Sequence, residues 1–83
     1  MQMQPSPQNN FLTKDLYLGA ILYSKQMKLE GVKRDGRVCW FEFLDKDACE
    51  NLQKEFFSKS LEVNAKEYAD AIKTLKDLVF SEM

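Results

Sequence analysis

Apolar residues recur at helical spacing in three parts of the chain and alternate with polar ones in others. The first helical stretch follows Thr13, a good N-cap, and is apolar on much of its circumference, which predicts burial on more than one side. In a chain this short, such a helix indicates contact with a partner subunit. Gly19 within it costs about 1 kcal/mol relative to Ala and is consistent either with the close approach of another backbone or with chance.

The stretch GVKRDGRVCWFEF, residues 31–43, predicts a β-hairpin. A two-residue Asp-Gly turn would place charged and aromatic side chains on the same face. A three-residue loop with Gly36 left-handed, as a bulge, instead gives one uniformly apolar face. We therefore predict the second register, in which Phe41 and Phe43 point to the core and Trp40 lies outside.

The second half of the chain adds two helices and one strand. Asp45 predicts the N-cap of a helix whose apolar face carries Cys49, and Asn64 predicts the N-cap of the last helix. Between these helices, Leu61 and Val63 alternate with polar neighbours and predict a short third strand. The fold expected is α+β, a small antiparallel three-stranded sheet with helices on one face, in the order α-β-β-α-β-α.

Composition limits the possible domain organisation and cellular location of the protein. Residues 1–10 are rich in Gln, Pro and Asn without periodicity and predict a flexible tail, whereas residues 11–83 predict a single α+β domain. The N-terminus lacks a charged and apolar leader, and the longest apolar stretch is far shorter than the ~20 residues that span a bilayer. We therefore expect a cytoplasmic protein without membrane association.

Three stretches of the chain have a familiar pattern: FLTKDLYLGAILYSKQMKLEGV, RVCWFEF and VNAKEYADAIKTLKDLVF. They combine Phe-x-Thr-x-Asp-Leu before the first helix, an aromatic second strand and Ala-x-x-Leu-Lys-x-Leu in the last helix. In these features the chain, over about residues 11–80, resembles an uncharacterised domain-of-unknown-function family of short bacterial, archaeal and phage proteins. Gly19 and Met27 depart from that pattern, where Ala and Gly are expected. The resemblance implies a fold and a setting in phages or other mobile elements, and no activity.

Candidate chemistry is sparse. The chain has no histidine, the commonest general base and a frequent metal ligand. Cys39 and Cys49 are interpreted as small core hydrophobes, and the carboxylates near Asp45 as capping groups. The three glycines do not form a phosphate-binding loop. We therefore expect no enzyme activity, no catalytic residues, no metal site and no cofactor.

Charge and aromatic residues single out the hairpin as the candidate binding surface. The net charge is −1, but the first 41 residues carry a net +3 and the remainder a net −4. On the predicted register, an outward aromatic residue flanked by two valines adjoins three basic side chains. These residues are Trp40, Val32, Val38, Lys33, Arg34 and Arg37. A solvated hairpin with an apolar patch covered by the chain itself would explain the same pattern.

Two functions fit this surface. The first is a homodimeric regulator or inhibitor that acts on a protein partner, in keeping with a mobile-element setting; aromatic residues are frequent anchors at such interfaces. The alternative is the binding of nucleic acid or a nucleotide, in which Trp40 stacks on a base and the basic side chains hold phosphate. A salt-sensitive affinity for single-stranded DNA or RNA would favour the alternative.

Overall fold

The structure is a computed structural model, and it describes residues 10–81 of the chain. The elements follow one another as β1 (Phe11–Thr13), α1 (Leu16–Ser24), β2 (Leu29–Asp35), β3 (Val38–Phe43), α2 (Lys46–Phe57) and α3 (Ala65–Ser81). The strands form one antiparallel sheet in the order β1-β3-β2. The α+β class, with three helices and a three-stranded antiparallel sheet, is confirmed. Of the predicted tail, residues 1–9 lie outside the described range.

The third strand of the sheet is β1. The prediction of a strand at Leu61 and Val63 is wrong, because no strand lies between α2 and α3. Phe11 pairs with Phe43, and Thr13 with Phe41, so that β1 occupies the edge of β3 that β2 leaves free. Leu61 and Val63 are half-buried in the connection between α2 and α3, which has no regular secondary structure. Two alternating apolar residues are too few to distinguish a strand from a connection that buries both of them. The element order is accordingly β-α-β-β-α-α.

Helix α1 begins later than predicted. Its N-cap is Asp15, whose carboxylate accepts hydrogen bonds from the backbone N–H groups of Tyr17 and Leu18 at 2.9 and 3.2 Å. Thr13, the predicted cap, is the last residue of β1, and its hydroxyl accepts from the Asp15 N–H. Thr and Asp side chains can both cap a helix, and the pairing of Thr13 within β1 leaves the cap to Asp15.

Other parts of the same chain surround α1. Five successive positions, Leu18 to Leu22, are buried. Since successive helical positions are about 100° apart, five of them cover the whole circumference. The sheet lies against one side of α1 and α3 against another, with α2 also in contact. The partner subunit inferred from this apolar helix is therefore not needed to cover it.

Gly19 marks the point where α1 passes between the sheet and α3. A Cβ atom at this position would lie 3.3 Å from Leu75 Cδ1 and 3.3 Å from Phe41 Cδ2. Such distances are tighter than ordinary van der Waals contact. The glycine thus permits the approach of two buried side chains, rather than of another backbone.

The hairpin has a third register, which neither predicted alternative contained. Asp35 pairs with Val38 around a two-residue turn, Gly36–Arg37, in which Gly36 has φ +65°. The ladder then shifts by one residue between Leu29 and Gly31. This β-bulge brings Leu29 and Val32, an odd number of residues apart, onto the same inner face.

Both later helices begin as predicted. The Asp45 carboxylate accepts from the Ala48 N–H, and the Asn64 side-chain oxygen accepts from the Glu67 N–H. Their apolar stripes meet the inner face of the sheet and α1 in one hydrophobic cluster, which includes the fully buried Cys49 and Leu75. All three helices therefore pack on the face of the sheet that carries Phe41 and Phe43, and within residues 10–81 the opposite face has no helix on it.

Candidate functional site

Trp40 lies half-buried on the outer face of the sheet, next to two lysines. Lys33 is directly opposite on β2, and the Lys14 ammonium nitrogen lies 5.9 Å from the centroid of the Trp40 ring. At that distance a cation is attracted to the face of the indole. Val32, predicted beside Trp40, instead pairs with Phe41 on the inner face. The predicted apolar patch is thus reduced by one valine and is partly covered by its own chain.

Glu42 is a nearly buried acid on the same outer face, with 7% of its surface exposed. Asn10 Nδ2 donates to Glu42 Oε2 at 2.7 Å, and Lys33 Nζ lies 3.0 Å from Glu42 Oε1. The hydrogen bond from Asn10, followed by the one from Lys33, holds the pKa of the Glu42 carboxyl below its ordinary value of 4.5, although desolvation opposes the shift. Because Lys33 is paired with this carboxylate, its charge is partly neutralised within the protein.

The two arginines of the predicted surface lie away from Trp40. Arg34 pairs with Cys39 across the ladder, and Arg34 Nη1 donates to Cys39 Sγ at 3.4 Å. Arg37 lies in the turn and lines a cleft on the inner side of the sheet. Of the predicted residues, the structure therefore keeps Trp40, Val38 and Lys33 on one face and separates the arginines from them.

A cleft of about 420 Å³ opens between the turn end of the sheet and the C-terminal half of α3. We call it the cationic cleft; it is lined by Lys14, Leu16, Arg37, Cys39, Phe41, Lys76, Val79 and Phe80. The apolar lining continues the hydrophobic core, since Phe41 belongs to it and Leu16 and Val79 pack against it. Phe80 is 67% exposed at the rim. The volume falls within the range of about 300–1,000 Å³ that is typical of ligand sites.

The charges of the cationic cleft are all positive. Lys14 comes from the connection between β1 and α1, Arg37 from the hairpin turn and Lys76 from α3. No carboxylate is among the described lining residues, and none of the three cations forms an ion pair within residues 10–81. A cleft with one sign of charge and a low-dielectric wall concentrates its potential. The site is therefore electropositive although the whole chain carries a net charge of −1.

Sequence reasoning missed Lys14, Lys76 and Phe80 as site residues. A signal for Lys76 was available, because Lys66 and Lys73 each have an aspartate four residues later, with which they form ion pairs, and Lys76 has none. The position of Lys14 depends on the pairing of β1 with β3, a contact between distant parts of the chain. Local sequence patterns do not reveal such a contact.

The two thiols differ in environment. Cys39 is partly exposed in the cleft, whereas Cys49 is fully buried. Burial, assisted by the negative charges of Asp45 and Glu50, raises the pKa of the Cys49 thiol to about 11. Cys49 is thus a core residue, as predicted, whereas the prediction of Cys39 as a core residue is wrong, because the helices leave it partly exposed at the cleft.

Comparisons with protein-family models, curated proteins and solved structures found no match for this chain. Among the residues that the structure describes, three or more His, Cys, Asp or Glu side chains do not gather anywhere in a way that would hold a metal ion. Across the same residues, no helix has both the length and the apolar character needed to cross a bilayer. The chemistry available at the cleft is that of cations and apolar surface.

Proposed function

We propose that this protein is a non-enzymatic binding protein that acts on a protein partner through the cationic cleft. The observation that carries the proposal is an apolar floor surrounded by three cations without ion-pair partners among the described residues. Apolar surface supplies affinity, and unpaired charge supplies specificity and a faster encounter with an acidic partner. In this proposal, the protein regulates or inhibits its partner by binding an acidic segment of it.

A binding role is supported by the side chains at the cleft. The described lining of the cleft offers ammonium, guanidinium and thiol groups around hydrocarbon, with neither a carboxylate nor an imidazole among them. Arg in particular forms bidentate hydrogen bonds with carboxylates, for which the exposed Arg37 is available. These groups are suited to recognising an anion rather than to transforming it.

Self-association through the cleft has less support than an acidic partner. In a two-fold dimer each copy presents the same surface, so the cations of one cleft would face those of the other. The other obvious route, extension of the sheet at β2, is hindered by Lys33, Arg34 and the bulge, since charges and bulges block edge pairing. Neither of these two surfaces favours the predicted homodimer, which stays a proposal.

Nucleic-acid binding through the hairpin also has less support. Lys33 is engaged with Glu42, and Arg34 is directed toward Cys39, so neither accompanies Trp40 as a free phosphate contact. Lys14 remains beside the Trp40 ring. One lysine next to one half-buried indole is a small footprint compared with the basic groove of single-strand binders.

The test is a peptide-display selection on the full chain and on two double variants with the same change in charge. Arg37→Glu with Lys76→Glu reverses the cleft, and Lys46→Glu with Lys54→Glu, on α2, is the matched control. We expect the wild type and the control to enrich the same acidic, apolar peptides, and the cleft variant to lose them. Circular dichroism checks that all three are folded. Failure to enrich any peptide, or salt-sensitive binding of single-stranded DNA in its place, would overturn the proposal.

A further inference from the structure

We infer that the cationic cleft selects a segment in which one large apolar side chain is flanked on both sides by carboxylates, and that Lys14 leaves Trp40 when this segment binds. The inference rests on the proposed function and specifies its ligand. Trp40, which the sequence analysis singled out as a binding residue, then lies next to the site and reports on binding without contacting the ligand.

The apolar anchor follows from the floor of the cleft. Leu16 and Val79 are half-buried and flank the buried ring of Phe41, while Phe80 stands exposed at the rim. A hydrophobic side chain placed there would join the existing core cluster and cover Phe80 at the same time. Anchors of this kind, buried in a pocket and ringed by polar contacts, account for most of the affinity of many interfaces.

The carboxylates on both sides follow from the origins of the three cations. Arg37 stands at the turn end of β3, Lys14 follows the edge strand β1, and Lys76 comes from the helix that packs above. A ligand with one terminal anion would meet one of these groups and leave the others unpaired. A peptide with acidic residues before and after its anchor reaches cations on more than one side of the floor.

The rim favours a peptide over an enclosed small molecule. Lys14, Arg37, Lys76 and Phe80 are all exposed, so the cleft is open along its length. Sites for small molecules bury most of the ligand surface, about 70–90%. An open cleft instead accommodates one side chain and lets the chain on either side continue out into solvent.

Lys14 links the cleft to Trp40. Lys14 is one of the residues that line the cleft, and its ammonium nitrogen lies 5.9 Å from the Trp40 ring centroid on the outer face of the sheet. A carboxylate in the cleft competes with the ring for this cation, and an ion–carboxylate contact is the stronger of the two. Because the chain has a single tryptophan, its emission reports on this exchange without interference.

The experiment titrates the full chain with four short synthetic peptides, by calorimetry and by Trp40 emission. The parent peptide has a central phenylalanine with glutamates on both sides; the others have glutamines for the glutamates, alanine for the phenylalanine, or all glutamates on one side. We expect losses of about tenfold or more for the first two changes and about threefold for the third. The Trp40 emission should change with the parent peptide.

Two variants separate the parts of the inference. Lys14→Met should bind the parent peptide about threefold more weakly, with no change in Trp40 emission. Lys66→Met, on the exposed side of α3, should behave as the wild type. If the glutamine peptide binds as well as the parent, the acidic specificity is wrong while binding at the cleft stands. If emission is unchanged at saturation, the role of Lys14 is wrong. If no peptide binds at all, the proposed function itself fails.

Discussion

The two faces of β3 share one backbone but differ in how their side chains are buried. On the inner face, Phe41 and Phe43 are almost completely buried, under the helices. On the outer face, no helix among the described residues lies above Trp40 and Glu42; Lys14 approaches the Trp40 ring, and Asn10 and Lys33 contact the Glu42 carboxylate. Strand alternation therefore determined which residues share a face, while the packing of helices determined which face became the core.

The inner face itself divides into a closed and an open part. At Phe41 it is closed by α1, whose Gly19 allows close contact. Two residues nearer the turn, at Cys39, this face is partly exposed, and the cationic cleft opens between it and the C-terminal half of α3. The difference shows that a candidate site in so small a protein can arise where a helix faces the sheet without filling the space between them.

The largest effect should come from removing the aromatic ring at the closed part. Phe41→Ala should lower the free energy of unfolding by about 3–5 kcal/mol, because it leaves a cavity against Leu75 and α1. Trp40→Ala, one residue away on the outer face, should cost only about 1 kcal/mol. Urea denaturation followed by circular dichroism measures both. Equal losses for the two variants would mean that the outer face is also part of the core.

The outer face should respond to pH where the inner face does not. Glu42→Gln removes a carboxylate whose pKa is lowered by Asn10 and then by Lys33, so the variant should lose about 1 kcal/mol at neutral pH. A depressed pKa contributes stability above the unfolded value of about 4.5, and this stability is lost as the pH falls through the folded value. The difference in the free energy of unfolding between the wild type and Glu42→Gln should therefore disappear as the pH falls below about 4.5.

The matched control for Glu42 is Glu30→Gln, the same change at an exposed residue of β2. It should alter the free energy of unfolding by less than about 0.5 kcal/mol at every pH. Urea denaturation at a series of pH values compares the two. A Glu42 gap that stays constant down to the acid limit would contradict the ionised carboxylate described here.

A smaller effect should separate two glycines. Gly19→Ala gains about 1 kcal/mol of helix propensity but crowds Phe41 and Leu75, and overpacking usually costs about 1–3 kcal/mol. We expect a net loss of about 0.5–1 kcal/mol in thermal or urea unfolding. Gly31→Ala, where an added Cβ meets nothing within 4 Å, should be neutral within about 0.5 kcal/mol. If Gly19→Ala were more stable than the wild type, the side chains of Phe41 and Leu75 would have to move aside to admit the added methyl group.

Much of the fold could be predicted from local patterns. The helix caps at Asp45 and Asn64 and the inward direction of Phe41 and Phe43 follow from side-chain chemistry and period two. The register did not follow, because the bulge at Glu30 is a backbone irregularity that changes which residues share a face. The bulge predicted at Gly36 is absent from the described hairpin, and the observed one lies at the other end of β2, between Leu29 and Gly31.

The cleft was beyond prediction for a different reason. Its cations come from three elements far apart in sequence, and Lys14 reaches it only because β1 is a strand rather than the start of a helix. A strand of three residues is too short for its alternation to be recognised. Of the residues predicted for binding, Arg37 alone lines the cleft. The basic residues of the hairpin therefore point to different faces of the sheet, and which face each one reaches depends on tertiary packing.

The most direct measurement of the central claim is the rate at which iodoacetamide alkylates Cys39, with and without the acidic parent peptide. Cys49, buried and with its pKa raised to about 11, is an internal reference that should stay unmodified while the protein is folded. If the cleft is the binding site, the parent peptide at saturation should slow modification of Cys39 about tenfold or more, and the glutamine peptide should not. Unchanged alkylation of Cys39 at a peptide concentration that saturates the protein by calorimetry would place the binding site elsewhere.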